Sequence, residues 1–230
     1  VMEQMVRGMA KACSENGVSL IGGETAEMPG VYASGEHHIA GCITGVVEKN
    51  KIITGERIEE GDIMLGLPSS GLHTNGFSLA RKILFSVAGH KVDEEVSEFG
   101  MTVGEALMKV HVNYSRPVLE MLDKGVDIRG VAHITGGGFV ENIPRVLLET
   151  LDAEINKGTW PMLPIFPYMQ KVGSVPEAEM YRVFNMGIGL VLIVPQSEKE
   201  KIEKILESYP DYKIFEIGKI TKGNGKVVLK

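Results

Sequence analysis

Ser69, Ser70, Gly71, His73, Thr74, Asn75 and Gly76 lie together in "GLPSSGLHTNGFSLARKIL", directly ahead of a helical pattern. Hydroxyl and amide donors, backbone N–H groups bared by glycine, and the positive end of a helix together suit an anion such as phosphate. His73 adds a group that can move a proton or hold charge near neutral pH. The plain alternative is a tight turn in which Thr74 or Asn75 caps the helix. A second string, "VAHITGGGFVENIPRVL", repeats the logic. His133 ends a strand, Thr135 follows, and Gly136, Gly137 and Gly138 lead into a helix. Three consecutive glycines are costly to order, so a mere linker explains them poorly. Two strand–histidine–glycine-loop–helix units point to one shared cleft.

A third string, "LIGGETAEMPGVY", ends a strand at Gly22 and Gly23 and continues with Glu24, Thr25 and Glu27. A carboxylate beside a glycine loop can hold Mg²⁺ that bridges nucleotide phosphates. The alternative is a pair of solvated loop carboxylates. No GKS or GKT follows the glycines, so this is not a Walker A loop. In "FNMGIG", Gly187 and Gly189 read as strand glycines approached by a neighbouring backbone. His37 and His38 are adjacent on a strand and face opposite sides, which disfavours a shared metal. His90 and His111 carry no supporting motif. Trp160, between prolines, reads as packing.

These residues need elements to position them. "VMEQMVRGMAKACSE" is a helix whose Met2, Met5, Val6 and Met9 share one face, which predicts core packing; Asn16 and Gly17 stop it. "VSLIGGE" reads as a buried strand, and "HHIAGCITGVVEKNKII" as one or two strands. "TGERIEEGD" marks a boundary between residues 1–60 and 61–230. Beyond it, "IMLGLPSS" is a strand and "NGFSLARKILFSV" a helix. "VGEALMKVHVNYSRPVLEMLDKG" is helical with a break at Pro117. "FNMGIGLVLIVP" is an apolar strand, and "SEKEKIEKILESYP" a helix with Ile202, Ile205 and Leu206 inward. "KIFEIGKITKGNGKVVLK" closes as a hairpin turning at Gly223, Asn224 and Gly225. The class is α/β with α+β character. The sequence opens inside a helical pattern, which reads as the remainder of a longer protein.

Composition agrees with a globular chain: 230 residues, 43% hydrophobic and 23% charged. A net charge of −6 gives no general attraction to nucleic acid or to an anionic membrane. Cys13 and Cys42 form no CxxC, which suggests neither a disulfide framework nor a zinc site and fits a reducing compartment. No signal peptide and no membrane-spanning apolar run is read.

Taken in order, "LIGGETAEMPGVY", "GLPSSGLHTNGFSLARKIL", "AHITGGGFVENIPRVL", "WPMLPIFPYMQKVGSVPEAEMYRVFNMGIGLVLIV" and "IGKI" resemble the phosphoribosylformylglycinamidine cyclo-ligase family. The resemblance runs along almost the whole chain. It implies a cytoplasmic, homodimeric ligase of purine biosynthesis that uses ATP and Mg²⁺ to close formylglycinamidine ribonucleotide into an imidazole. It implies that residues 1–60 are the C-terminal part of an ATP-binding domain and 61–230 a C-terminal domain with substrate and phosphate loops. On this resemblance, Ser69, Ser70, Gly71, Thr74, Asn75, Thr135, Gly136, Gly137 and Gly138 bind phosphate or substrate. His73 and His133 are the candidate catalytic groups. Gly22, Gly23, Glu24 and Thr25 serve the nucleotide, with Glu24 on the metal. The family's lysine-bearing ATP loop and its magnesium-holding acids have no counterpart in these residues. Two alternatives follow: a module that binds a phosphorylated metabolite without turnover, or another ATP-using member of the same superfamily.

Overall fold

The computed structural model describes residues 2–33 and 35–230. They fall into two units, residues 1–52 and 53–230. In the first, helix α1 (Met2–Glu15) ends as its composition predicts: Gly17 turns left-handed at φ 66°, and the Asn16 amide reaches back to the Ala12 carbonyl at 3.2 Å. The methionine face, expected to pack in a core, does not do so; α1 buries none of its residues. The strands expected in "VSLIGGE" and "HHIAGCITGVVEKNKII" are also absent. Among the described residues of this unit there is only an isolated bridge, Pro29 to Tyr32. Ile21, Ile39, Ile43, Val46 and Val47 have strand-forming side chains but lie exposed. Propensity without a partner ladder does not make a strand.

The second unit is built on a six-stranded sheet. Strand β1 (Ile63–Pro68) pairs antiparallel with β6 (Ile188–Val194) on one side and β7 (Phe215–Lys222) on the other. Beyond β6 lies β4 (Gly130–His133); beyond β7 come β5 (Leu151–Ile155) and then β8 (Val227–Leu229). Strands β2 (Glu95–Val96) and β3 (Met101–Thr102) form a separate small pair.

β1 and β6 are apolar on both faces because both faces are covered. Met64, Val191 and Ile193 face one core, with Phe139, Phe166, Met180 and Tyr181 from helices α5 (Gly138–Asn142), α6 (Ile165–Val172) and α7 (Glu177–Val183). Leu65, Leu67, Leu190 and Leu192 face the other, with Met121 of α4 (Ser115–Asp123) and Ile202, Ile205 and Leu206 of α8 (Lys199–Leu206). The inward set of α8 is the one the sequence predicts. Trp160 is buried, and its indole N–H donates to the Met186 carbonyl at 2.9 Å.

Two local expectations fail for physical reasons. Pro117 does not break a helix. It sits in the first turn of α4, where its missing N–H costs nothing, and the break falls between α3 (Val103–Leu107) and α4. The terminal segment is not a hairpin either. The Asp152 carboxylate accepts from the Asn224 and Lys226 amides, at 2.7 and 2.8 Å, and carries the chain across the start of β5. β8 therefore pairs in parallel with β5 rather than with β7.

Asp62, buried at the start of β1, needs a partner for its charge. It accepts from the Glu59 amide at 2.9 Å and from Arg129 Nη1 at 3.1 and 3.2 Å, while Arg129 Nε donates to Asp127 at 3.0 Å. Burial works against ionisation of Asp127, but bonds from Arg129 and Arg57 outweigh it and hold the carboxyl below its ordinary range. Arg129→Ala, which leaves Asp62 buried and unpaired, should cost about 3 kcal/mol in urea unfolding followed by Trp160 fluorescence. A depressed carboxyl stabilises the fold above its unfolded value, about pH 3.9, and loses that contribution as pH falls through the folded one. The wild type should therefore lose stability below about pH 4, and Arg129→Ala should flatten that loss.

Candidate functional site

The site grows from the end of β1. The chain leaves the sheet at Pro68 and is caught by Asn185, which is buried. Asn185 Oδ1 accepts from the Ser69 hydroxyl at 2.8 Å and the Gly187 amide at 2.9 Å, and its Nδ2 donates to the Gly71 carbonyl at 2.8 Å. The Ser69 amide closes the ring on the Gly187 carbonyl at 2.8 Å. Ser70 is tied down as well: its hydroxyl donates to the Val110 carbonyl at 2.6 Å and its amide to His73 Nε2 at 3.1 Å. The side-chain donors of Ser69 and Ser70 thus hold the loop. Thr74 remains exposed, and Asn75, half-buried, donates to the Thr74 hydroxyl at 3.1 Å. The helix that follows starts as α2 (Phe77–Arg81) and continues π-wound through Lys82–Val87. Its N-cap is Gly76, at φ 80° and without a side-chain cap, so neither Thr74 nor Asn75 is the cap.

The second loop follows β4. Asn142, also buried, gathers it: Nδ2 lies 3.3, 3.1 and 2.8 Å from the carbonyls of Thr135, Gly136 and Gly138, and the Thr135 hydroxyl donates to Oδ1 at 3.1 Å. Gly137 and Gly138 are left-handed at φ 94° and 56°. A Cβ on Gly138 would collide with the Tyr181 carbonyl. The two loops meet, because a Cβ on Gly136 would lie 3.1 Å from Asn75 Oδ1. Lys109 flanks the first loop, with its Cβ 3.2 Å from where a Gly71 side chain would begin.

Between the loops stand three histidines. His73, only 6% exposed, takes a left-handed φ of 59°. Its ring lies 3.9 Å from that of His111, tilted by 30°. Burial, and then the neighbouring His111 and His133, push His73 down to about 3. Because Nε2 accepts from the Ser70 amide, the proton of the neutral ring resides on Nδ1, which is buried without a partner. His111 Nδ1 donates to the Val112 carbonyl at 2.6 Å, and its Nε2 faces His133 Nε2 at 3.0 Å. Partial burial, then the charge of His111, also lowers His133. The Tyr114 hydroxyl donates to the Pro68 carbonyl at 2.7 Å, binding the His111 segment to β1. Gly189 makes room for all this: a Cβ there would strike the Tyr114 hydroxyl and the His73 ring. What approaches Gly189 is therefore side chains, not the backbone the sequence suggested.

Sequence reasoning missed His111, Asn142 and Asn185. His111 has no motif of its own, and only folding brings it to His73 and His133. A polar residue inside each apolar segment, Asn142 in "FVENIPRVL" and Asn185 in "RVFNMGIG", was the available signal. The remaining histidines are elsewhere. His90 bonds Glu94 and Tyr168, and His38 stacks on Tyr32 with ring centres 4.2 Å apart. In the first unit, Gly22, Gly23, Glu24 and Thr25 lie in an exposed stretch without regular structure, and nothing would touch a Cβ on either glycine. Among the described residues, no metal-ligand cluster includes Glu24.

Residues 59–230 match the family model described as "AIR synthase related protein, C-terminal domain", and residues 1–47 match that of its N-terminal domain. The phosphoribosylformylglycinamidine cyclo-ligase of Bacillus velezensis is 48% identical over 224 residues, 97% of this chain and 64% of that protein. Its namesake in Bifidobacterium longum is 47% identical over 233 residues, covering all of this chain and 67% of that one. The chain therefore spans about two thirds of the length of these curated relatives. Among solved structures, a thiamine-monophosphate kinase from Stenotrophomonas maltophilia aligns over 80% of this chain and 54% of its own. Its TM-score is 0.52 at 12% identity, a likeness of fold alone. Matched by both domain models, and nearly half identical to these relatives along its whole length, the chain belongs to the AIR synthase related family as a relative of the phosphoribosylformylglycinamidine cyclo-ligases.

Proposed function

We propose that the protein to which this chain belongs closes formylglycinamidine ribonucleotide into aminoimidazole ribonucleotide with ATP, as a ligase of purine biosynthesis in the cytoplasm. The observation that carries the reading is the meeting of two glycine loops at Asn75 and Gly136, beside His73, His111 and His133, in a chain whose relatives bear the cyclo-ligase name. The unpaired Cys13 and Cys42 suit a reducing setting.

The chemistry fits such a site. A formyl amide oxygen is a poor leaving group. Moving the γ-phosphoryl group of ATP onto it gives an iminophosphate. The amidine nitrogen then attacks the formyl carbon, and the oxygen departs with phosphate. Such steps depend on positioning and charge stabilisation more than on covalent catalysis. Thr74, Asn75 and the amides of Gly136 and Gly137 bind and orient the phosphorylated substrate, while the Gly138 amide closes the loop on the Thr135 carbonyl at 2.9 Å. His73 and His133 donate hydrogen bonds or move protons at the reacting atoms. Glu24, on an exposed stretch of the first unit, is given no step here.

That same observation on Glu24 favours a second reading for the 230-residue chain alone: binding of the phosphorylated substrate without turnover. Calorimetric titration with formylglycinamidine ribonucleotide, and a ring-closure assay on the same sample, separate the two. Binding without closure supports the second reading for this chain, and closure supports the first. Absence of both overturns the assignment of the loops. In the full-length ligase, His133→Ala should lower kcat about a hundredfold. Asn75→Ala should act mainly on KM, raising it about tenfold, as the loss of one hydrogen bond to a charged group does. Unchanged kinetics in both variants would mean that the two loops do not form the site.

A further inference from the structure

We infer that His73, His111 and His133 form a tri-imidazole site for a divalent transition-metal ion of the zinc type. One ring nitrogen from each lies within 4.8 Å of the other two. His111 is set as a metal-binding histidine is usually set: its Nδ1–H is spent on the Val112 carbonyl, which leaves Nε2 as a lone pair facing the cluster. Across from it, His133 Nε2 donates to that lone pair at 3.0 Å, and ligation would shift its ring proton to Nδ1. Two nitrogens sharing one tetrahedral zinc, at about 2.0–2.1 Å each, lie roughly 3.3 Å apart, so the pair is nearly at that spacing. The third ring, His73, is held in a left-handed backbone beside them and is only 6% exposed, with Nδ1 lacking any partner. Ligation through Nδ1 moves the ring proton to Nε2 and gives up the bond that Nε2 accepts from the Ser70 amide at 3.1 Å.

The donor set selects the metal. Three imidazoles without a carboxylate suit Zn²⁺, Co²⁺, Ni²⁺ or Cu²⁺ and are poor ligands for Mg²⁺, which takes oxygen. Three protein ligands also leave a fourth position for water or a ligand oxygen. A metal ion would occupy ring nitrogens that the ring-closure reading gives to His73 and His133, so the site is tested by binding alone, apart from turnover. Binding needs neither nucleotide nor substrate, and its failure would leave the cyclo-ligase reading untouched.

The test uses the 230-residue chain without a histidine tag, titrated with ZnCl₂ against a chelating indicator and separately with CoCl₂. One equivalent of Zn²⁺ should bind with micromolar affinity or better. The Co²⁺ form should show the intense visible bands of a four-coordinate, nitrogen-rich centre. His111→Ala and His133→Ala, checked for an unchanged far-ultraviolet spectrum, should each weaken binding about tenfold or more and abolish the bands. His37→Ala with His38→Ala should change neither, which controls for binding elsewhere. Because His73 is buried and its loss threatens folding, the His111 and His133 variants decide the matter. Zinc affinity unchanged in both of them, or no binding by the wild type, overturns the site.

Discussion

The amide side chain of Asn185 holds the candidate site in shape. A chain leaving a sheet carries unpaired backbone groups, and at the end of β1 these are buried. Asn185 satisfies the Gly71 carbonyl there and the Gly187 amide ahead of β6, and takes the Ser69 hydroxyl as well, while the Ser69 amide is met by the Gly187 carbonyl. Asn142 does the same for the loop after β4. Each loop thus gets its conformation from a buried polar residue far along the chain or one helix turn away, and not from its own flexible glycines. The glycines are there because nothing larger fits: at Gly138 against the Tyr181 carbonyl, and at Gly189 against His73.

From this follows the peculiar chemistry of the three histidines. His73 is driven into a buried, left-handed position by a loop fixed at Ser69 and Ser70, and is kept uncharged by burial. His111 arrives from the other direction, on the segment between α3 and α4 that Tyr114 fastens to β1. His133 is simply the last residue of an outer strand. A left-handed backbone under one ring, a carbonyl anchor on the second and an open edge on the third are three different environments whose ring nitrogens lie within 4.8 Å of one another.

Much of this was legible in the sequence. Both glycine loops, their histidines and their helices could be read because the signals are local: glycine runs, a switch from strand to helix periodicity, and polar residues bunched at the junction. The apolar faces of β6 and α8 were legible from periodicity alone. The errors came where partners decide. The strand-like stretches of residues 18–24 and 37–48 have the composition of a sheet, but among the described residues of their unit no ladder forms. The final segment has hairpin chemistry at Gly223 to Gly225, yet Asp152, distant in sequence, takes its amides and moves it to another strand. His111 was invisible for the same reason. Nothing near it announces a role, and its importance is created by the tertiary fold.

That displaced final segment has a consequence for how the protein behaves among its neighbours. An outer strand with free amides and carbonyls invites another sheet to dock, the first step of aggregation. Carried over by Asp152, β8 covers β5 and becomes the new rim, and it is only three residues long. It runs between Lys226 and Lys230, and the Lys230 ammonium is paired with Glu154 at 2.7 Å. A rim so short, with a lysine at either end, is a poor template for a second chain. A single aspartate that redirects a turn thereby also keeps one margin of the sheet from recruiting copies of itself.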